Sequence, residues 1–219
     1  METGCFKGLA FIVEGDTEKV FYHEYLANLC LMSGYSLTKD EDSQEDLYAI
    51  GMGDDRALAM FWSSNSVSNI VNGSVWFKRA CVKTYPEARW TVFLCYDTDE
   101  YNAPITKFHE GDWAALRCDI AEYATDVVDL AAEADIEDII LCDLENVLRF
   151  LGLPEGVQLP LGNKGKAKLK KLHRMVASNR TYHSGSRARP LIQARDMARL
   201  RNSAPVPLER IDEALHKTM

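Results

Sequence analysis

The stretch Leu9 to Phe21, LAFIVEGDTEKVF, constrains the fold more than any other part of the chain. Leu9 to Val13 is a short apolar run rich in branched and aromatic side chains, which suits a buried strand better than a helix. Glu14-Gly15 ends the run, and Thr17 with Lys19-Val20-Phe21 opens a helical pattern. Asp16 or Thr17 is the expected N-cap, leaving Glu18 in the first turn, where the helix dipole favours a carboxylate. Glu14 thus belongs to the carboxyl end of a strand and Glu18 to the helix that follows. In open α/β sheets that edge is where ligands bind. A second stretch answers the first: Trp90 to Cys95, WTVFLC, is another apolar strand and ends in Tyr96-Asp97-Thr98-Asp99-Glu100. Side by side, two such strands make an acidic cluster.

The remaining pattern fills in an α/β chain. A helix is expected over Thr17–Met32, an acidic solvated loop over Lys39–Asp46 and a short strand at Leu47–Ile50. Arg56–Trp62 reads as helical, Ser63–Ser74 as a Ser/Asn loop, and Val75–Tyr85 as a helix closed by Pro86. Asp112–Tyr123 is a helix with Tyr123 among its inward positions, and Val127–Ala132 a third core strand. Ile139 to Leu151 shows helical spacing up to Gly152-Leu153-Pro154. Beyond a turn-rich linker, helices are expected at Lys166–Asn179, at Pro190–Arg201 and from about Pro207. Strands alternating with helices predict a mainly parallel sheet flanked by helices, with a core over 1–155 and a helical appendage over 156–219 packing on it.

Charge divides the chain in the same place. Residues 1–161 hold 11 Lys/Arg against 29 Asp/Glu, whereas residues 162–202 hold 12 Lys/Arg against the single Asp196. A basic arm of that density suits a phosphate backbone, or else an acidic body on which it can lie. The Trp residues sit in apolar contexts and read as core. The six cysteines form no CxxC pair, and most fall in apolar patterns, so buried reduced thiols are expected and a zinc site is not. No apolar run approaches the ~20 residues that span a membrane, and no secretory leader is evident, which gives a cytoplasmic expectation. Oligomeric state is not legible.

Carboxylates packed together repel, so a native cluster needs protons or cations to hold it. All-oxygen ligation points to Mg²⁺ or Mn²⁺, which keep several waters and take one or two carboxylates plus substrate phosphate. FIVEGDTEKVF followed by FLCYDTDEY resembles the Toprim domain, the acidic fold of topoisomerases, primases and the OLD-type and RloB-like nucleases of bacterial phage defence. The EGxTE spelling with DxDE is closer to the nuclease branch, and ADIEDIILCDLENVLRFLGLP then GNKGKAKLKK resembles the downstream part of small RloB-like proteins.

The resemblance implies a metal-dependent nuclease acting on DNA or RNA in defence against phage. It makes Glu14 a general acid/base or metal-bound carboxylate, Asp97 and Asp99 metal ligands, Glu18 and Glu100 supporting ones, and Glu137 a further acidic ligand. The nuclease branch adds a lysine that steadies transition-state charge, here Lys164 or Lys166, with Gly165 letting the backbone approach a phosphate. Lys168, Lys170, Lys171, Arg174, Arg180, Arg187 and Arg189 are the expected nucleic-acid contacts, with Tyr182 and His183 among them as on single-strand surfaces. OLD-type relatives join Toprim to an ATPase domain. This sequence has no Walker motif, so nucleotide gating would need a partner chain. Two other readings stand beside this one: a non-catalytic nucleic-acid-binding module, and a DxD phosphatase, disfavoured because the first strand ends in EGxTE.

Overall fold

The computed structural model describes residues 6–52, 55–98, 110–176 and 181–216. Six strands form one sheet in the order β2-β3-β4-β1-β5-β6. They are β1 (Phe6–Val13), β2 (Ser36–Lys39), β3 (Asp46–Met52), β4 (Asp55–Ser63), β5 (Ala88–Asp97) and β6 (Asp126–Ala132). β4, β1, β5 and β6 run parallel, while β2 and β3 form an antiparallel margin beside β4. β1 is central and buried on both faces, which is why its sequence shows no polar alternation.

Alternate residues of β1 serve two cores. Leu9, Phe11 and Val13 face one side and Ala10 and Ile12 the other. Phe11 lies in register with Phe61 on β4 and Phe93 on β5, and the three rings stack at 4.6 and 4.8 Å between centroids. This ladder pins the register of three strands, since a slip of one residue would send every ring to the opposite face. Gly8 pairs with Trp90, whose ring lies where a Cβ would stand, 2.3 Å from Trp90 Cε3.

The first core is roofed by α1 (Asp16–Met32), α4 (Ile136–Leu141), α5 (Leu144–Leu151) and α6 (Gly165–Arg174). A 3₁₀ turn (Gly185–Ala188) leads into α7 (Arg189–Gln193), α8 (Met197–Ser203) and α9 (Glu209–His216) on the same side. Leu172, Leu191, Leu200, Leu208 and Leu215 of the basic C-terminal region are buried in one apolar cluster with Phe11 and Phe21. The other face carries α2 (Gly73–Trp76), which continues as a π-helical turn over Phe77–Val82, and α3 (Glu110–Ala121). No described helix is long and apolar enough to cross a membrane.

Several local expectations are corrected. Arg56–Trp62 is strand, not helix: Ala57, Ala59 and Phe61 face one core and Leu58, Met60 and Trp62 the other. Burial on both faces removed the alternation that marks a strand, and Ala and Met are good helix formers. The helix expected over Ile139–Leu151 breaks at Cys142-Asp143, and the one over Pro190–Arg201 breaks at Ala194-Arg195-Asp196. The helix expected to run to Asn179 ends at Arg174, and part of Ser63–Ser74 is 3₁₀ helix over Val67–Asn72. Tyr123 is exposed, with Lys78 Nζ 5.0 Å over its ring. Cys30, Cys81 and Cys95 are buried free thiols as expected, but Cys118 is exposed. α1 is capped by Gly15 with no side-chain cap, rather than by Asp16 or Thr17.

A candidate active site at the carboxyl edge of the sheet

The parallel register brings the carboxyl ends of β1, β5 and β6 to one edge, pairing Val13 with Cys95 and Asp97 with Ala132. Each strand releases acidic side chains there. Glu14 follows β1; its N–H donates to Cys95 O at 2.9 Å and its Oε2 accepts from Asp97 N at 3.2 Å. One carboxylate thereby ties two strand tips together. Glu18, one turn into α1, is buried beneath it. Beyond β6, Asp135 caps α4 by accepting from Asp138 N, and Glu137 in its first turn is only 3% exposed.

The electrostatics follow from burial and like charge. Burial, with the charges of Glu18, Glu14, Asp135 and Glu137, pushes the Asp97 carboxyl up to about 9. Burial raises Glu18 to about 7; its own N–H and Lys166 oppose the rise, and Glu137 and Glu14 add to it. Glu137 and Asp135 are also raised, chiefly by burial. Asp97 Oδ1 is buried and has no hydrogen-bond partner among the described residues. A buried acceptor of that kind costs on the order of 1–3 kcal/mol unless something satisfies it.

The basic arm closes over this edge through backbone as much as through charge. The first N–H groups of α6 go to the protein's own carboxylates: Gly165 N donates to Asp138 Oδ2 at 3.0 Å and Lys166 N to Asp135 Oδ2 at 3.1 Å. Gly165 is needed for this contact, because a Cβ would fall 2.2 Å from Asp138 N and 2.4 Å from Glu137 C. The expectation that Gly165 admits a phosphate is therefore corrected: it admits the β6–α4 turn. Lys168 Nζ pairs with Asp138 Oδ1 at 2.7 Å. Tyr182, expected on a surface, is buried; its hydroxyl donates to Glu137 Oε1 at 2.9 Å and its ring lies 5.5 Å from that of His173. Gly185 N donates to Thr17 Oγ1 at 2.8 Å, tying the arm to the start of α1.

Of the residues singled out in the sequence, Glu14, Glu18, Asp97 and Glu137 gather at this edge. Asp99, Glu100 and Arg180 lie outside the described residues. Lys164 is the half-buried N-cap of α6, and Lys166, exposed, places its positive charge where it favours ionised Glu18 and Glu137. Lys171 donates to Leu161 O at 2.6 Å, and Arg189 pairs with Glu24. Lys170, Arg174, His183 and Arg187 are exposed. Asp135 and Asp138 were missed. The signal was present, since the rule that drew attention to Glu14, a carboxylate between a core strand and the next helix, applies equally to ADIED.

Among the described residues, no three His, Cys, Asp or Glu side chains close into a ligand set that would hold a metal ion outright. Mg²⁺ does not require one, because it binds through one or two carboxylates and completes its shell with water and substrate phosphate. The donor set is all oxygen, and Asp97 Oδ1 is an acceptor without a hydrogen-bond partner among the described residues. The residues present fit a hard divalent cation. No protein-family model matches the chain, and neither does any curated protein.

Proposed function

We propose that this protein is a Toprim-type, Mg²⁺- or Mn²⁺-dependent nuclease that hydrolyses nucleic-acid phosphodiester bonds, with a role in defence against phage. The observation that carries the reading is Asp97: a carboxylate at a strand tip, faced by other carboxylates, with a buried oxygen that has no hydrogen-bond partner among the described residues. A protein gains no stability from such an arrangement, and perturbed groups of this kind concentrate at functional sites. EGxTE and DxDE supply the Toprim part of the reading and the expectation of a nucleic-acid substrate.

On this reading Asp97 and Glu14 hold the cation, with Asp99 and Glu100 of the same motif as further ligands. When bound, such a cation polarises a phosphoryl oxygen and lowers the pKa of water. Glu14, already accepting from Asp97 N, is fixed to orient that carboxylate or to exchange a proton with the attacking water. Glu18, raised to about 7, and Glu137, also raised by burial, stand behind as buried carboxyls, and Tyr182 fixes the orientation of Glu137. Lys166 and Lys164 border the cluster as candidates to meet developing negative charge. An ATPase, if the system uses one, is a separate chain.

The test is cleavage of plasmid, single-stranded DNA and RNA with Mg²⁺ or Mn²⁺, comparing wild type with Glu14→Ala and Asp97→Ala. The reading expects metal-dependent cutting that falls by on the order of 10²-fold or more in both variants. Cutting that survives both substitutions would overturn it. Metal-independent binding without cutting would leave a nucleic-acid-binding module in its place.

A further inference from the structure

Five of the twelve Lys/Arg of residues 162–202 are committed inside the molecule. Lys168 pairs with Asp138, Arg189 with Glu24, Arg199 with Asp143 and Glu145, and Arg201 with Asp212. Arg195 is buried and donates to three backbone carbonyls. The arm therefore neutralises part of the acidic body. Within α6 the division is by helix face. Gly165, Leu169, Leu172 and His173 point inward, while Lys166, Lys170 and Arg174 are exposed and carry no described ion pair. Residues four apart stack on one face, so these three make a straight row with about 6 Å of axial rise between neighbours.

The row has a fixed origin. Lys166 N is bonded to Asp135 Oδ2, and the Lys166 charge acts on Glu18 and Glu137, so the first cation stands at the rim of the carboxylate cluster. The other two lead away from it along the helix.

We infer that the exposed row Lys166–Lys170–Arg174 is the track that holds the phosphate backbone of a nucleic-acid strand entering the carboxylate edge. This rests on the nuclease reading for the identity of the polyanion and adds its path. The strand lies along α6, with successive phosphates over successive cations and the phosphate nearest Lys166 closest to Asp97. Lys168, although in the same helix, contributes nothing to the track because its charge is committed to Asp138.

The test is anisotropy of a fluorescein-labelled oligothymidylate of about 20 nucleotides with the full chain in EDTA, read from about 50 to 200 mM salt. Replacing Lys166, Lys170 and Arg174 together by Gln is expected to weaken binding at least about tenfold at the low-salt end. It should also flatten the plot of log K against log salt by about 2, since each contact to a single strand contributes about 0.7. Lys83→Gln, at an exposed cation just after the Phe77–Val82 turn, should leave the slope unchanged. Substituting Arg at Lys166 and Lys170 should preserve it, and equal melting temperatures show that the variants fold. An unchanged slope in the triple variant, an equal loss in the Lys83 variant, or no binding by wild type overturns the track. Cleavage by wild type is scored separately with Mn²⁺. Cutting with an unchanged slope sinks the track alone, whereas a flattened slope without cutting sinks the nuclease reading alone.

Discussion

Two acidic groups in this molecule, Asp143 and Asp97, are treated in opposite ways. Asp143, at the break between α4 and α5, is fully buried; its Oδ1 has no hydrogen-bond partner among the described residues, but the group is faced by donors and a cation. Its Oδ2 accepts from Asp196 N at 2.9 Å and Asn146 Nδ2 at 2.8 Å, and Arg199 Nη1 stands 3.5 Å from its Oδ1. Arg195, held down to about 10 by burial despite the Asp143 charge, packs beside it and donates to Asp143 O and Asn146 O. Asp97 is half-buried, with its Oδ1 fully covered, and faces the charges of Glu14, Glu18, Asp135 and Glu137. The first arrangement is an internal tie between two helix breaks. The second opposes folding, and on the proposed reading it is a place for a cation. Charge alone does not separate the two arrangements; the sign of the neighbouring charges does.

The comparison breaks most sharply at Asp143. Asp143→Ala leaves the Asp196 and Asn146 donors without their acceptor, and should destabilise by about 2–4 kcal/mol in urea unfolding, each unmet donor costing about 1–3. A loss below about 1 kcal/mol would show that the tie is not structural.

Asp97→Asn should act in the other direction, stabilising the metal-free protein by about 1–3 kcal/mol at pH 8. The sign follows from the raised carboxyl. The unfolded chain releases this proton near 4 and the native one near 9, so the native state holds more protons between those values. Metal-free stability therefore declines as pH rises through that window, and the Asn variant should flatten the decline. Melting temperatures in EDTA that are level across the window in wild type would contradict the assignment.

A divalent cation should erase part of this cost. Mn²⁺ at ten times its Kd should add about 1.4 kcal/mol to wild-type stability, more at pH 8 than at pH 5 and little in Asp97→Asn. Equal stabilisation of both proteins would place the binding site elsewhere. The smallest effect belongs to Arg199, whose side chain is 47% exposed. Arg199→Ala should move the urea midpoint least of these variants, and less at high salt, because exposed pairs contribute little.

Much of this architecture is legible in the sequence where burial is one-sided or where a strand ends in charge. β1, β5 and β6 declare themselves as apolar runs, and Glu14 and Asp97 by their position after them. β4 escaped because both its faces are covered and its Ala and Met content imitates a helix. The breaks at Asp143 and Arg195 escaped because a polar group inside a helical period looks like a solvent-facing one until its partner, about fifty residues away, is known. The same distance hid the role of Gly165 and Tyr182: a glycine beside lysines suggests a phosphate, and a tyrosine among arginines suggests a base. Both instead meet the β6–α4 turn.

The link from Tyr182 to Glu137, with that from Gly185 to Thr17, also bears on how the molecule comes into being. A ribosome delivers the central strand first, yet its neighbours β4 and β5 arrive roughly 40 to 80 residues later, and domains fold as their parts emerge. Glu14 and Asp97 are in place well before the segment that covers Glu137 has been made. The nascent chain thus passes through a stage with its acidic edge open and the apolar underside of α1 bare. The finished edge belongs only to a chain synthesised past residue 185, so a hydrolytic centre of the proposed kind would be completed late in its own translation.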